Sequence, residues 1–261
     1  MNTPPPIPAT TRALSPASAS ASVALPAALS LLAGATDVTS WLLLGGFFSA
    51  HVTGNLVVIA ADVVAGRAPG VASVLAIPVF VLITAAATLA SRRLVLNGMS
   101  AQMLTTVLLG AQTLLLVLAA ALSFATRASA DPSQPLAVII GLCAVCAMAT
   151  QNAFLHLIPP KAASTAVMTG NLVAGTIALV DLVLSRGASG SAWSRWHSAW
   201  PLLAGFVGGC LIGAAGAVAF SDRASMIPAV LACILFFVVM SRRSSPAREK
   251  RTPDQPKEGC S

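Results

Sequence analysis

Charge is what this chain lacks most. Only 9% of its 261 residues are Asp, Glu, Lys or Arg, against 56% hydrophobic. A soluble domain carries about 25% charged residues, and so sparse a surface would not stay dispersed in water. Tyrosine is absent altogether, which removes one common acid/base side chain. No nucleophile elbow, P-loop, zinc H-E-x-x-H or dinucleotide fingerprint is present. The chain is therefore expected to be no enzyme and to carry no cofactor or metal. The five cysteines suggest no disulfide framework. Cys143 and Cys146 form a C-x-x-C one turn apart in apolar sequence, without a further Cys or acidic residue beside them, and read as small packing residues.

Acidic residues are the scarcer charge, and the net charge is +7. Arg242, Arg243, Arg248, Lys250, Arg251 and Lys257 place six of the 15 basic residues at the C-terminus. No folded basic module with stacking aromatics accompanies them, so nucleic acid is excluded as a partner. A basic tail beside a lipid surface is the reading that fits.

Uncharged apolar sequence is plentiful. Residues 94–126 and 132–160 contain no Asp, Glu, Lys or Arg. About 20 apolar residues cross the roughly 30 Å of bilayer hydrocarbon, and several segments qualify. The fold class is an all-α polytopic membrane protein with the lipid bilayer as its partner. Residues 1–22, rich in Pro, Ser, Ala and Thr, read as a disordered tail, as do the basic residues 242–261. Between them, apolar segments are expected near 24–48, 50–66, 71–91, 100–125, 136–158, 163–185, 199–220 and 225–241.

Thr53-Gly54-Asn55-Leu56-Val57 in the second segment recurs as Thr169-Gly170-Asn171-Leu172-Val173 in the sixth, 116 residues on. The same offset maps the first segment onto the fifth. The third and fourth land on the seventh and eighth, with slippage around residues 187–196. The sequence predicts two homologous halves of four segments, 23–126 and 132–241, as in many transporters.

Six to eight segments cross the membrane. If all eight do, Arg12, Arg67, Arg127, Arg186 and Arg195 oppose Arg92, Arg93, Lys161 and Arg223, which is hardly a bias. If the two Thr-Gly-Asn segments break without crossing, Arg12, Arg92, Arg93, Lys161, Arg186 and Arg195 share the side of the tail. Only Arg67, Arg127 and Arg223 then lie opposite, which fits the positive-inside rule better. Three spans per half would make the halves inverted.

Ionisable groups at membrane depth are functional candidates by default. Asp37, between Thr36 and Thr39, is suited to hold a cation, a proton or a substrate amine, or to join helices by hydrogen bonds. Asn55 and Asn171, each after a glycine that lets the helix break or another backbone approach, line a shared cavity or pack helices. Thr150-Gln151 stands opposite Thr36-Asp37 under the repeat, two residues out of step, and Asn152 adds a neutral donor and acceptor. Asp181 lies inside an apolar run and is suited to pair with a cation or a partner helix. Asp62, near a segment end, reads as solvated. His51 and His156 are suited to shuttle protons but, also near segment ends, read as interfacial. Gly205, Gly209, Gly213 and Ala217 recur every fourth residue as a close-packing face. Trp193, Trp196 and Trp200 read as an interfacial anchor.

Gly34-Ala35-Thr36-Asp37, Leu44-Gly45-Gly46-Phe47 and Val52-Thr53-Gly54-Asn55-Leu56 resemble the first half of the YoaK-like bacterial inner-membrane proteins. Ala147-Met148-Ala149-Thr150-Gln151-Asn152-Ala153 and the stretch from Thr165 to Asn171 resemble the second. The likeness covers about residues 24–241, although Ala35 and Val38 replace the Tyr and Ala usual in that family. It implies a multi-span plasma-membrane protein and names no substrate. With the basic tail, it places both termini in the cytoplasm. The function expected is transport of a small solute or ion at a site between the halves, lined by Asp37, Asn55, Asn171 and Gln151 with Asn152 and Asp181 nearby. The alternative is a non-transporting membrane scaffold or sensor. Association into a homo-oligomer is compatible with either.

Overall fold

The computed structural model describes residues 16–126, 128–157 and 168–244. Eight α-helices occupy them: α1 Pro16–Leu43, α2 Gly54–Val64, α3 Val71–Leu96, α4 Ala101–Ala125, α5 Pro135–Leu157, α6 Met168–Leu184, α7 Gly190–Phe220 and α8 Met226–Ser244. No strand occurs among the described residues. Arg12, Arg127, Lys161, the start of the sixth segment and most of the basic tail lie outside them.

The expected segments match the helices with three differences. Helix α1 begins at Pro16, inside the stretch expected as tail. The Ala- and Ser-rich sequence from Pro16 is helical, and Pro26 lies inside the helix without ending it. Helix α7 begins nine residues before its apolar segment, because Ser189 caps it by accepting from the Ala192 N–H at 3.3 Å. That start places the three tryptophans on the first turns of α7, where Trp196 and Trp200 stack. The first segment ends early. Gly45 and Gly46 adopt φ of +91° and +75°, a conformation open mainly to glycine, and the chain leaves the helix there.

Five stretches are apolar and long enough to cross a bilayer: Val23–Leu43, Val71–Leu96, Ala101–Ala125, Pro135–Leu157 and Gly190–Arg242. The last contains two helices, α7 and α8, separated by the 3-10 turn Ser221–Ser225. Helix α2 has 11 residues, about 16 Å at 1.5 Å per residue, and the described part of α6 has 17.

Two helices form the interior. Most of α5 and α1 is buried, whereas α3 and the α7–α8 stretch face outward. Val57, Val64, Leu96, Val183, Leu184, Leu211 and Val218 are all widely exposed. So much apolar surface is stable only against lipid or another protein. Helix α1 packs chiefly against α7, and α5 against α3 and α4; α2 rests on α3, α6 on α7, and α8 on α4.

The α1–α7 contact is a backbone contact. A Cβ added to Gly205, Gly209 or Gly213 would fall 2.4, 2.0 or 2.9 Å from the carbonyl oxygens of Ala27, Leu31 and Ala35. One added to Gly34 would fall 2.3 Å from the Phe206 carbonyl. The four-residue glycine spacing thus lets the helices meet at the distance that small-residue stripes permit in lipid. Ser30 strengthens the seam by donating to the Leu202 carbonyl at 2.7 Å.

At one end of the bundle, Asp222 of the 3-10 turn accepts from the Ser129 N–H at 2.8 Å, tying the α4–α5 connection to the α7–α8 connection. In that α4–α5 connection Asp131 accepts from the Ser133 hydroxyl and N–H. Those bonds, the hydroxyl first, hold its carboxyl below the usual carboxylate range and turn the chain into α5.

Candidate functional site

Between α1 and α2 the chain runs for ten residues without helix, yet half of them are buried and only Gly45 and Thr53 are exposed. Phe47, Ser49 and Ala50 are at most 2% exposed. Buried backbone outside regular structure must find other partners for its N–H and C=O groups, and two side chains supply them. Asp37, six residues before the end of α1, accepts at Oδ1 from the N–H groups of Ser49 at 2.8 Å and Ala50 at 2.6 Å. Its Oδ2 accepts from the His51 N–H at 3.2 Å and lies 2.6 Å from His51 Nδ1. Asn55, fully buried on the first turn of α2, pairs with both polar atoms of one peptide unit. Its Oδ1 accepts from the Phe48 N–H and its Nδ2 donates to the Phe48 carbonyl, each at 2.8 Å.

The segment folds back along α1, because Asp37 lies about 9 Å inside the helix end. Phe47 seats it on α5 at Gly141, where an added Cβ would meet the ring at 2.6 Å. His51 seats it on α7 against the Phe206 ring, with centroids 4.8 Å apart. On the far side of Asp37, the Ser49 hydroxyl lies 3.3 Å from both Asp37 Oδ1 and the Ser40 hydroxyl. Ser40 borders a cavity of about 20 Å³ with Thr36, Thr39, Ser123 and Ser225, room for roughly one water.

A second polar cluster crosses the bundle higher on α1. Gln151 of α5 donates through Nε2 to the Leu29 carbonyl at 3.1 Å and accepts at Oε1 from Gln112 Nε2 of α4 at 2.9 Å. The amide orientations are mutually fixed. A carbonyl can only accept, so Gln151 must turn Nε2 to Leu29, and Gln112 must then turn Nε2 to Gln151. Gln112 Oε1 is left buried, with no hydrogen-bond partner among the described residues.

The six residues expected to share one site are therefore distributed. Asp37 and Asn55 close on the same four-residue stretch. Gln151 reaches α1 at Leu29, eight residues or about 12 Å from Asp37. Asn152 is buried and donates to the Met148 carbonyl one turn back in its own helix. Asn171 is half-buried on the first turn of α6, which rests on α7, whereas the α2 of Asn55 rests on α3. Asp181 is 42% exposed and forms an ion pair with Arg195 of α7. It lies about 16 Å along that helix from Phe206. An acidic side chain in apolar sequence has here found its cation at the surface rather than the interior. Asp62 likewise pairs with Arg67 at the end of α2.

Sequence reading misplaces one participant and misses another. His51 was placed at an interface by its position near a segment end, but the reversal of the chain carries it back to Asp37. Gln112 has no counterpart under the 116-residue offset, and only its polarity in the middle of an apolar helix marks it. His156 caps its own helix, with Nδ1 2.8 Å from the Asn152 carbonyl.

Long apolar helices, lipid-facing surface and a buried polar interior together define a multi-pass integral membrane protein. The family described as "Protein of unknown function (DUF1275)" matches residues 25–238, and the chain belongs to it. The match covers most of the stretch that carries the YoaK-like resemblance. No curated protein and no solved structure matches the chain.

Proposed function

We propose that this protein transports a small solute or ion across the bacterial inner membrane, without enzymatic chemistry and with both termini in the cytoplasm. The observation that carries the proposal is the buried, non-helical segment between α1 and α2. Irregular backbone at membrane depth is tolerated where protein buries it or a cavity borders it, and discontinuous helices of this kind build transporter sites. Duplication supports the same reading. The first helix of each half packs on the third helix of the other, α1 on α7 and α5 on α3. Helix α2, at about 16 Å, is too short to cross the hydrocarbon; if α6, its counterpart under the repeat, also does not cross, each half keeps three crossing helices and the halves are inverted. Asp37 and Asn55 shape the segment, which borders the solute's path, with Gln151, Asn152, Asn171 and Asp181 further along it.

The scaffold reading has one observation in its favour: the oxygens of Asp37 and the amide of Asn55 are all engaged with backbone. Untargeted metabolite comparison between cells with and without the protein tests for a solute. Flux of whatever solute it identifies is then measured for Asp37→Ala and Asn55→Ala. Transport predicts an accumulated or depleted solute and at least tenfold slower flux in both variants. An unchanged metabolite profile, with both variants merely less stable, supports the scaffold. Labelling of Arg67→Cys from outside the cell supports six spans; labelling only after lysis supports eight.

A further inference from the structure

Asp37 has no room for a cation. A carboxylate offers about four lone-pair positions, and these face the N–H groups of Ser49, Ala50 and His51, the Ser49 hydroxyl and His51 Nδ1. A metal ion or an ammonium group would have to displace the donors that hold the segment in place. His51 is different. With Nδ1–H directed at the ionised carboxylate, its Nε2 carries a lone pair. That atom is buried against Phe206 and has no hydrogen-bond partner among the described residues.

The arrangement suits a neutral imidazole. Adding one proton to Nε2 creates a buried N–H on a cation, and a buried donor without an acceptor is among the rarest features of native structures. The proton therefore brings with it a displacement of the segment that carries His51, toward water or a carbonyl. Proton balance is simple. One H+ from the aqueous phase adds to the Nε2 lone pair, and Asp37 stays ionised as the counter-ion.

We infer that the Asp37–His51 pair is a one-proton site whose occupancy sets the position of residues 44–53, making the proton the coupling ion. This rests on the transport reading for its purpose, but not for its detection. Among the described residues, the groups facing the pair are few. Helix α1 presents Asp37 itself, and α7 presents Cys210, which lies within electrostatic reach of Asp37. Helix α5 meets the segment through Gly141 and α2 through Asn55, neither of which is ionisable. Asp62 and Arg67, at the far end of α2, neutralise each other.

Trp41 is a built-in reporter, since its ring lies 4.9 Å from that of Phe48 within the segment. The test uses the full chain in phospholipid nanodiscs, with Trp193, Trp196 and Trp200 replaced by Phe. Histidine-ring NMR and Trp41 fluorescence are recorded across the pH range in which the protein stays folded. In the same background His197, exposed on α7, is replaced by Asn, and His51 is expected to take up a single proton with Trp41 emission changing at the same midpoint. Both changes are expected to vanish in His51→Asn, whose amide keeps a donor near the Nδ1 position and lacks Nε2. Both are expected to persist in His156→Asn. If His51→Asn does not fold, coincidence of the two wild-type midpoints decides. Trp41 emission that ignores the His51 titration, or a His51 resonance fixed in one form, overturns the inference. Signals that persist in a protein shown to move no solute overturn the transport reading instead.

Discussion

Replacing Asp37 by Asn keeps the shape of the side chain and removes its charge, so it isolates what the carboxylate contributes. One oxygen becomes an NH2 group, and the cheaper orientation can be worked out. Turned toward Oδ1, the NH2 would face the Ser49 and Ala50 N–H groups, neither of which can accept. Turned toward Oδ2, it faces His51, whose Nδ1 can become the acceptor by a change of tautomer. Only the His51 N–H is then orphaned, at about 1–3 kcal/mol for a buried donor. The remaining bonds to Oδ1 lose charge assistance, roughly half their strength. The total is about 3 kcal/mol. On the scale of soluble domains of 150–250 residues, that lowers Tm by about 6–12 °C. Fluorescence-detected size-exclusion after heating in mild detergent measures it, and a Cys in place of the buried Ala50 reports whether residues 44–53 have become accessible. A Tm within about 1 °C of wild type, well inside the smallest shift this reasoning allows, with unchanged accessibility would refute the claim that the carboxylate holds the segment.

Gly209→Ala pushes a methyl group to within 2.0 Å of the Leu31 carbonyl, where neither backbone can yield, and should cost about 3 kcal/mol or more. Gly208→Ala next to it meets nothing within 4 Å and should leave thermal stability unchanged within about 0.5 kcal/mol. In the amide cluster, Gln112→Leu removes the buried, unpartnered Gln112 Oε1 along with the bond to Gln151 and should be nearly neutral. Gln151→Leu strands both polar ends of Gln112 and should cost about 2 kcal/mol or more; equal melting temperatures for the two would contradict the assigned orientations. Arg195→Ala removes a half-exposed ion pair with Asp181 and should change stability by no more than about 1 kcal/mol, read in the same thermal assay.

Hydropathy was enough to find the helices because lipid demands long apolar runs, and the ends of α4, α5 and α8 fall within a few residues of the expected ones. The glycine stripe of α7 was legible for the same reason, since a four-residue spacing projects to one face. The Thr-Gly-Asn motif marked the right place, and the structure shows why: Gly54 admits the Phe48 ring, where a Cβ would stand 2.8 Å from it, and Asn55 grips the Phe48 peptide. What periodicity could not supply was the direction of the chain between Leu44 and Thr53. The partnership of Asp37 with His51, 14 residues apart, depends on a reversal made by two left-handed glycines. That Asp181 pairs with a cation was legible, but not that the cation is Arg195, which sits on an unpredicted extension of α7.

The intimate contact between the first and seventh helices joins residues about 180 positions apart, Leu31 to Gly209. At ribosomal speeds of about 5–20 residues per second, α1 enters the membrane some ten to forty seconds before its main neighbour exists. During that interval its bare ridge of carbonyl oxygens must be shielded by the insertion machinery or by lipid. Completion of the bundle is consequently a late event, and a chain interrupted before α7 emerges would leave α1 without its chief partner.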